Sequence, residues 1–324
     1  MSRIHEALKK AEQERLASQG GPHQPTYAAG VPAEPSAMPT AEEQTFDAAK
    51  DHPSNGEMPP TTAMPSFASP FNLDTLMARC PPRSWAPEGR TMLFFNGDER
   101  VRGAEEFRTL RSRLYSVREK MELKKILVTS ALPKEGKSFT AANLAQVLAR
   151  QHGRRVLLID ADLRGPRLHL MLGTTSSPGL ADYLQQESDE FSIMQRGPME
   201  NLFFIPSGHE IADPADLVAN GRLQILMRRV EPLFEWIIVD SPPAVPVSDS
   251  SVLAKACDGV LMVVRSNATP VDMARRARQE FPEEALIGIV LNDALPDALP
   301  YTRYYYDEVQ MTTIESKTQG NREP

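Results

Sequence analysis

Ile126-Leu127-Val128-Thr129-Ser130-Ala131-Leu132-Pro133-Lys134-Glu135-Gly136-Lys137-Ser138-Phe139 is the stretch on which the reading of this chain turns. A short apolar, β-prone run enters a Gly-Lys-Ser loop, helical spacing covers 138–152, and a helix is expected to begin at Phe139. This matches the phosphate-loop pattern, with Ala131 where the first glycine usually stands. In such a loop, backbone N–H groups and a helix N-terminus point at anionic oxygens. Gly136 permits close approach, Lys137 brings a point charge to the β- and γ-phosphates, and Ser138 offers a hydroxyl to Mg²⁺. The residues expected to line a bound ATP are Ala131, Pro133, Lys134, Glu135, Gly136, Lys137, Ser138 and Phe139.

Outward from this loop, further apolar runs occur at Val156–Ile159, Leu202–Ile205, Trp236–Val239, Val260–Val264 and Leu286–Leu291. Helical spacing separates them, notably over 214–230, 248–256 and 270–280. Alternation of buried strands with helices predicts an α/β fold with a doubly wound, mostly parallel sheet. Ligands of such sheets sit beyond the carboxyl ends of the strands. Two runs end there in acid. Val156–Ile159 leads into Asp160-Ala161-Asp162, whose carboxylates would project the same way on an extended strand and would repel unless a cation lies between them. Trp236–Val239 leads into Asp240, as expected of a carboxylate that holds the water shell of a metal.

The chain has 324 residues, 41% hydrophobic and 24% charged, enough for a core. Its net charge of −7 argues against a nucleic-acid coat. Two cysteines, Cys80 and Cys257, cannot build a disulfide framework or a four-thiolate metal site, which fits a reducing cytoplasm. No apolar run reaches membrane-spanning length. Thirteen of the 28 prolines fall in the first 90 residues, so 19–95 reads as a flexible linker. Ahead of it, 1–18 reads as an amphipathic helix, with Ile4, Leu8 and Leu16 on one face and Arg3, Lys9, Lys10 and Arg15 around it. The expected divisions are thus helix 1–18, linker 19–95, phosphate-loop domain 96–296 and tail 297–324.

Four of the seven tyrosines lie within six residues of that tail: Tyr301, Tyr304, Tyr305 and Tyr306. Three consecutive tyrosines cannot all face a core on a regular element. The ten residues from Asn292 to Tyr301 span at most about 35 Å, a reach that serves either the chain's own site or a neighbour's.

Together these residues resemble the bacterial protein-tyrosine kinase family, phosphate-loop enzymes that accompany capsule and exopolysaccharide synthesis. The resemblance covers roughly 100–306. It is carried by the three nucleotide motifs, by Glu105-Glu106-Phe107-Arg108-Thr109-Leu110-Arg111, by Pro206-Ser207-Gly208 with Asp213-Pro214-Ala215-Asp216-Leu217, and by Asp258-Gly259-Val260. The opening Ser2–Arg15 is similar to the leader of autokinases from exosortase-linked operons.

The resemblance implies transfer of the γ-phosphoryl of ATP to the tail tyrosines, preferentially between neighbours. Lys137, Asp160, Asp162 and Asp240 would be catalytic, with Ser138, Asp160 and Asp240 on Mg²⁺ and Asp162 taking or orienting the tyrosine proton. Asn292 would contact adenine, and Glu105, Arg108 and Arg111 would join chains in a ring. It also implies a membrane chain-length-regulator protein as activator, a tyrosine phosphatase as antagonist, and a cytoplasmic protein held at the inner membrane face through its partner. The competing class is the partition and division-site ATPases of the same fold. Their signature lysine would fall at position 132, where this chain has Leu132. A non-enzymatic nucleotide switch on a membrane complex is a further alternative.

Overall fold

The computed structural model describes residues 72–95 and 103–294, all within a unit spanning Pro65–Pro324. The N-terminal amphipathic segment and the four tail tyrosines lie outside the described residues.

All six apolar runs are strands. They form β1 (Lys125–Ser130), β2 (Val156–Asp160), β4 (Leu202–Ile205), β5 (Trp236–Asp240), β6 (Gly259–Arg265) and β7 (Leu286–Asn292), joined by a two-residue β3 (Gln195–Arg196). The sheet runs β3-β4-β2-β5-β1-β6-β7. Every pairing is parallel except β3 on β4. β1 lies between β5 and β6, so the phosphate loop leaves from the inner part of the sheet.

Side-chain alternation sends successive residues to opposite faces. Leu127, Leu157, Ile159, Ile237 and Val239 enter one core, and Ile126, Val128, Val156, Leu158 and Ile238 enter the other. The second core is roofed by α2 (Ala104–Arg118) and α3 (Lys137–Ala149). Helix α3 is buried at twelve of its thirteen positions, which fixes the entry to the phosphate loop rigidly. The first core takes the apolar faces of α5 (Leu180–Leu184), α6 (Pro214–Ala219), α7 (Arg222–Val230), α8 (Asp249–Ala254) and α9 (Val271–Gln279). The single helix expected over 214–230 is two. Gly221 interrupts it at φ 80°, a left-handed conformation that ends one helix and lets the next begin.

The expected linker differs at its C-terminal end. Residues 72–95 pack on the sheet instead of standing free. α1 (Leu73–Arg79) is capped by Asn72, whose side chain accepts from the Thr75 N–H at 2.9 Å, and it buries Leu76 completely. The following strap runs along the sheet's β3 edge, where the Arg83 N–H donates to the Arg196 carbonyl at 2.7 Å. Trp85 meets Phe204 edge-on at 6.1 Å. The strap then crosses α4 (Leu168–Leu172), with Ala86 and Glu88 donating to Gly173 and Met171 at 3.1 and 3.0 Å. It ends on α3, where buried Asn143 accepts from the Leu93 N–H at 2.9 Å and donates to the Thr91 carbonyl at 2.8 Å. Met92 is fully buried there. Proline-rich composition concealed these anchors, since their burial depends on partners far along the chain. No described helix is long and apolar enough to cross a membrane.

Candidate active site

Helix α3 begins at Lys137, two residues earlier than the spacing suggested, behind a loop with two left-handed residues: Lys134 at φ 66° and Gly136 at φ 97°. Gly136 is required twice. Its φ disfavours a side chain, and a Cβ would sit 2.0 Å from Asn292 Nδ2. Ala131 is buried, Pro133 and Lys134 are exposed, and the Phe139 ring turns away to pack 5.8 Å from Phe107 of α2.

The acidic strand ends meet this loop. β2 and β5 are neighbours in register, with Asp160 opposite Asp240, and both are fully buried. Asp160 Oδ2 accepts from the Leu168 N–H at 3.1 Å. Its Oδ1 is buried without a hydrogen-bond partner among the described residues, and the Asp240 carboxylate faces the Ser138 hydroxyl and the Ser241 N–H. Burial first, and the Asp240 charge second, hold Asp160 well above the ordinary carboxylate range. Burial likewise pushes Asp240 up to about 6, with the Lys137 ammonium the strongest opposing influence. β2 stops at Asp160, so Asp162 is not beside it on an extended strand as expected. Asp162 lies in the following turn, where Oδ1 accepts from the Gly165 N–H at 3.1 Å and Oδ2 lies 2.6 Å from Lys137 Nζ. Lys137 Nζ is also 3.2 Å from Ser138 Oγ and 3.9 Å from Asp240 Oδ2. Burial works against its charge, but Asp240, Asp162 and Asp160 outweigh that and raise its pKa.

Lys137, Ser138, Asp160, Asp162 and Asp240 are therefore brought together. A buried Asp160 oxygen without a donor, beside the Asp240 carboxylate and the Ser138 hydroxyl, suits a hard divalent cation. Among the described residues no three carboxylate, imidazole or thiolate groups form a ready metal cage.

Other candidates are placed differently. Asn292 ends β7 and donates through Nδ2 to the Glu135 carbonyl at 2.9 Å, so that group already holds the loop. On α2, Arg108 pairs with Glu105 along its own helix at 2.9 Å, and Arg111 donates to the Val147 carbonyl of α3 at 3.1 Å. Arg164, for which phosphate or an acidic partner were both open readings, grips Asp249 through two donors at 2.8 and 3.1 Å. Asp258 is structural, accepting the Lys124 and Lys125 N–H groups at 2.9 and 2.8 Å where β1 starts. Sequence reasoning missed Asp249, and it missed Thr269, whose hydroxyl reaches the Glu135 carboxylate. Thr269-Pro270 reads along the chain only as the start of a helix.

The profile of an AAA domain matches residues 124–272. Tyrosine-protein kinase YwqD of Bacillus subtilis is 33% identical over 191 residues, covering 58% of this chain and 80% of YwqD. Tyrosine-protein kinase wzc of Salmonella typhimurium is 28% identical over 208 residues, 64% of this chain but 29% of that longer protein. Among solved structures, the chimerical protein CapA2B2 matches with TM-score 0.59 and 27% identity, covering 66% of this chain and 95% of the chimera. The kinase domain of the Escherichia coli tyrosine kinase ETK matches with TM-score 0.54 and 27% identity, covering 59% of this chain and 77% of that domain. Identity of one residue in three along four-fifths of the Bacillus kinase, on a shared fold, makes this chain a member of the bacterial tyrosine-protein kinases.

Proposed function

We propose that this member of the family is an ATP-dependent autokinase that phosphorylates its own tyrosine cluster, Tyr301, Tyr304, Tyr305 and Tyr306, in the control of exopolysaccharide synthesis or export. The observation that carries this reading is the facing pair Asp160 and Asp240, both fully buried at the phosphate loop, with Asp240 Oδ2 3.9 Å from Lys137 Nζ. The loop from Ala131 to Phe139 would receive the triphosphate on its N–H groups and on the Lys137 ammonium. Ser138, Asp160 and Asp240 would hold Mg²⁺, which when bound neutralises charge on the β- and γ-phosphate oxygens. Asp162 would orient the tyrosine hydroxyl and accept its proton. Its Oδ2 lies 2.6 Å from Lys137 Nζ, which holds the side chain at the loop. Positioning and charge complementarity, without a covalent enzyme intermediate, account for the chemistry.

The family context extends the proposal to partners. Chains would assemble in a ring through Glu105, Arg108 and Arg111, each presenting its tail to a neighbour. A membrane chain-length regulator would activate the kinase and keep it at the inner membrane face, and a tyrosine phosphatase would reverse the modification. The domain limits of 96–296 for the kinase and 297–324 for the tail belong to the same proposal, as does the amphipathic helix 1–18. Incubating the purified protein with Mg·ATP and blotting for phosphotyrosine tests it. Wild type should label, and label in a Lys137→Met control would contradict the assignment.

A further inference from the structure

Glu135 is an odd residue to place in a phosphate cradle, because its negative charge sits among N–H groups meant for another anion. The side chain is almost fully buried, with one carboxylate oxygen bonded within the loop and the other bonded outside it. Oε2 accepts from the Leu132 N–H at 2.9 Å, closing the loop on itself. Oε1 receives the hydroxyl of Thr269, from the turn after β6. That hydroxyl is itself oriented. Thr269 Oγ1 accepts from the Arg265 N–H at 3.0 Å, which leaves its one proton free to be directed at the carboxylate.

The turn behind Thr269 is anchored in its own right. The Arg265 guanidinium donates twice to Asp293 Oδ2, at 3.0 and 2.8 Å, and the Ser266 N–H donates to the Asn292 carbonyl at 2.8 Å. The ends of β6 and β7 are thereby locked together. Asn292, from the same wall, takes the Glu135 backbone carbonyl. Glu135 is thus held at its backbone and at both carboxylate oxygens. It is the residue flanked by the loop's two left-handed positions, Lys134 and Gly136, where the backbone has least freedom to relax.

We propose that Thr269 is a positioning residue for nucleotide binding, acting through Glu135. Its hydroxyl keeps the carboxylate turned toward the β6–β7 wall and away from the phosphates, and so preserves the loop conformation whose N–H groups receive them. The inference rests on the phosphate-loop reading of residues 131–139. Without the hydroxyl, the carboxylate loses a charge-assisted hydrogen bond and gains freedom to approach the triphosphate, which it repels.

The test compares Thr269→Val and Thr269→Ser with wild type in the full-length protein, each also in a Glu135→Gln background. The readouts are the Mg·ATP dissociation constant, and KM for ATP against kcat. Loss of a hydrogen bond to a charged group corresponds to roughly tenfold weaker binding. Thr269→Val should therefore raise Kd and KM about tenfold with kcat little changed, and Thr269→Ser should restore both. In the Glu135→Gln background, where no charge remains to restrain, the valine should shift Kd by less than about threefold. Thermal melting of each variant separates this from misfolding, which serine would not repair selectively. Equal Kd for the valine variant and wild type overturns the proposal. So does a fall in kcat at constant KM, or a valine effect of the same size in the Glu135→Gln background as with the native carboxylate. Failure of the wild-type protein to bind Mg·ATP at all would overturn the phosphate-loop reading itself, a different result from equal affinities.

Discussion

Lys137 is the cation on which three buried carboxylates depend. Replacing it with methionine removes the charge that faces the phosphates and strips Asp162 and Asp240 of their compensation at 2.6 and 3.9 Å. Removing one partner of a buried pair costs up to about 3–5 kcal/mol. Proton uptake by carboxyls whose pKa is already raised softens that cost here. Lys137→Met should therefore abolish phosphotyrosine while the protein still unfolds cooperatively, with a lower midpoint by circular dichroism. Outside the phosphate loop, His209 lies against Asp182 and its pKa is raised above 6.5 by that hydrogen bond, then by the Asp182 charge. A base with a raised folded-state pKa stabilises the fold at pH below 6.5 and loses that contribution as pH rises through the folded value. The His209 ring signals in NMR should accordingly titrate above 6.5 in the wild type and fall back in Asp182→Asn.

At the scale of elements, the strap 72–95 shows where sequence reading succeeds and fails. The strands were legible because each is a local run of three or more apolar residues, and the phosphate loop because its spacing is local too. β3, with two residues, has too little pattern to be seen. Trp85, Met92 and Phe94 sit in a proline-rich stretch with no period, and only the distant Phe204, Asn143 and Gln146 reveal that they are core. The site divides in the same way. Asp160 and Asp240 announce themselves at strand ends, whereas Thr269 is brought to Glu135 across 134 positions. A chain beginning at residue 72 should keep the full-length thermal midpoint, since all the strap anchors remain. One beginning at residue 96 should melt well below it. Even Trp85→Ala alone should cost about 3–5 kcal/mol in chemical denaturation.

For the whole molecule, charge would connect the proposed phosphorylation of the tail to the proposed assembly. Each tyrosine phosphate adds about −1.5 to −2 at neutral pH, so four bring roughly −6 to −8. That is comparable to the net charge of −7 carried by the entire chain. Such a tail should leave a site lined by Asp160, Asp162 and Asp240, and like charge should loosen a ring. Unphosphorylated protein is expected to elute from a sizing column as a larger species than heavily phosphorylated protein. Equal masses for the two forms would contradict this charge-driven separation.

Mass-spectrometric mapping of phosphate after incubation with Mg·ATP tests the central claim most directly. The modification should fall on Tyr301, Tyr304, Tyr305 and Tyr306 in the wild type and be absent from Lys137→Met. With those four tyrosines changed to phenylalanine, most phosphate should vanish and nucleotide affinity should persist. Full incorporation without the cluster, or incorporation that survives the loss of Lys137, would contradict it.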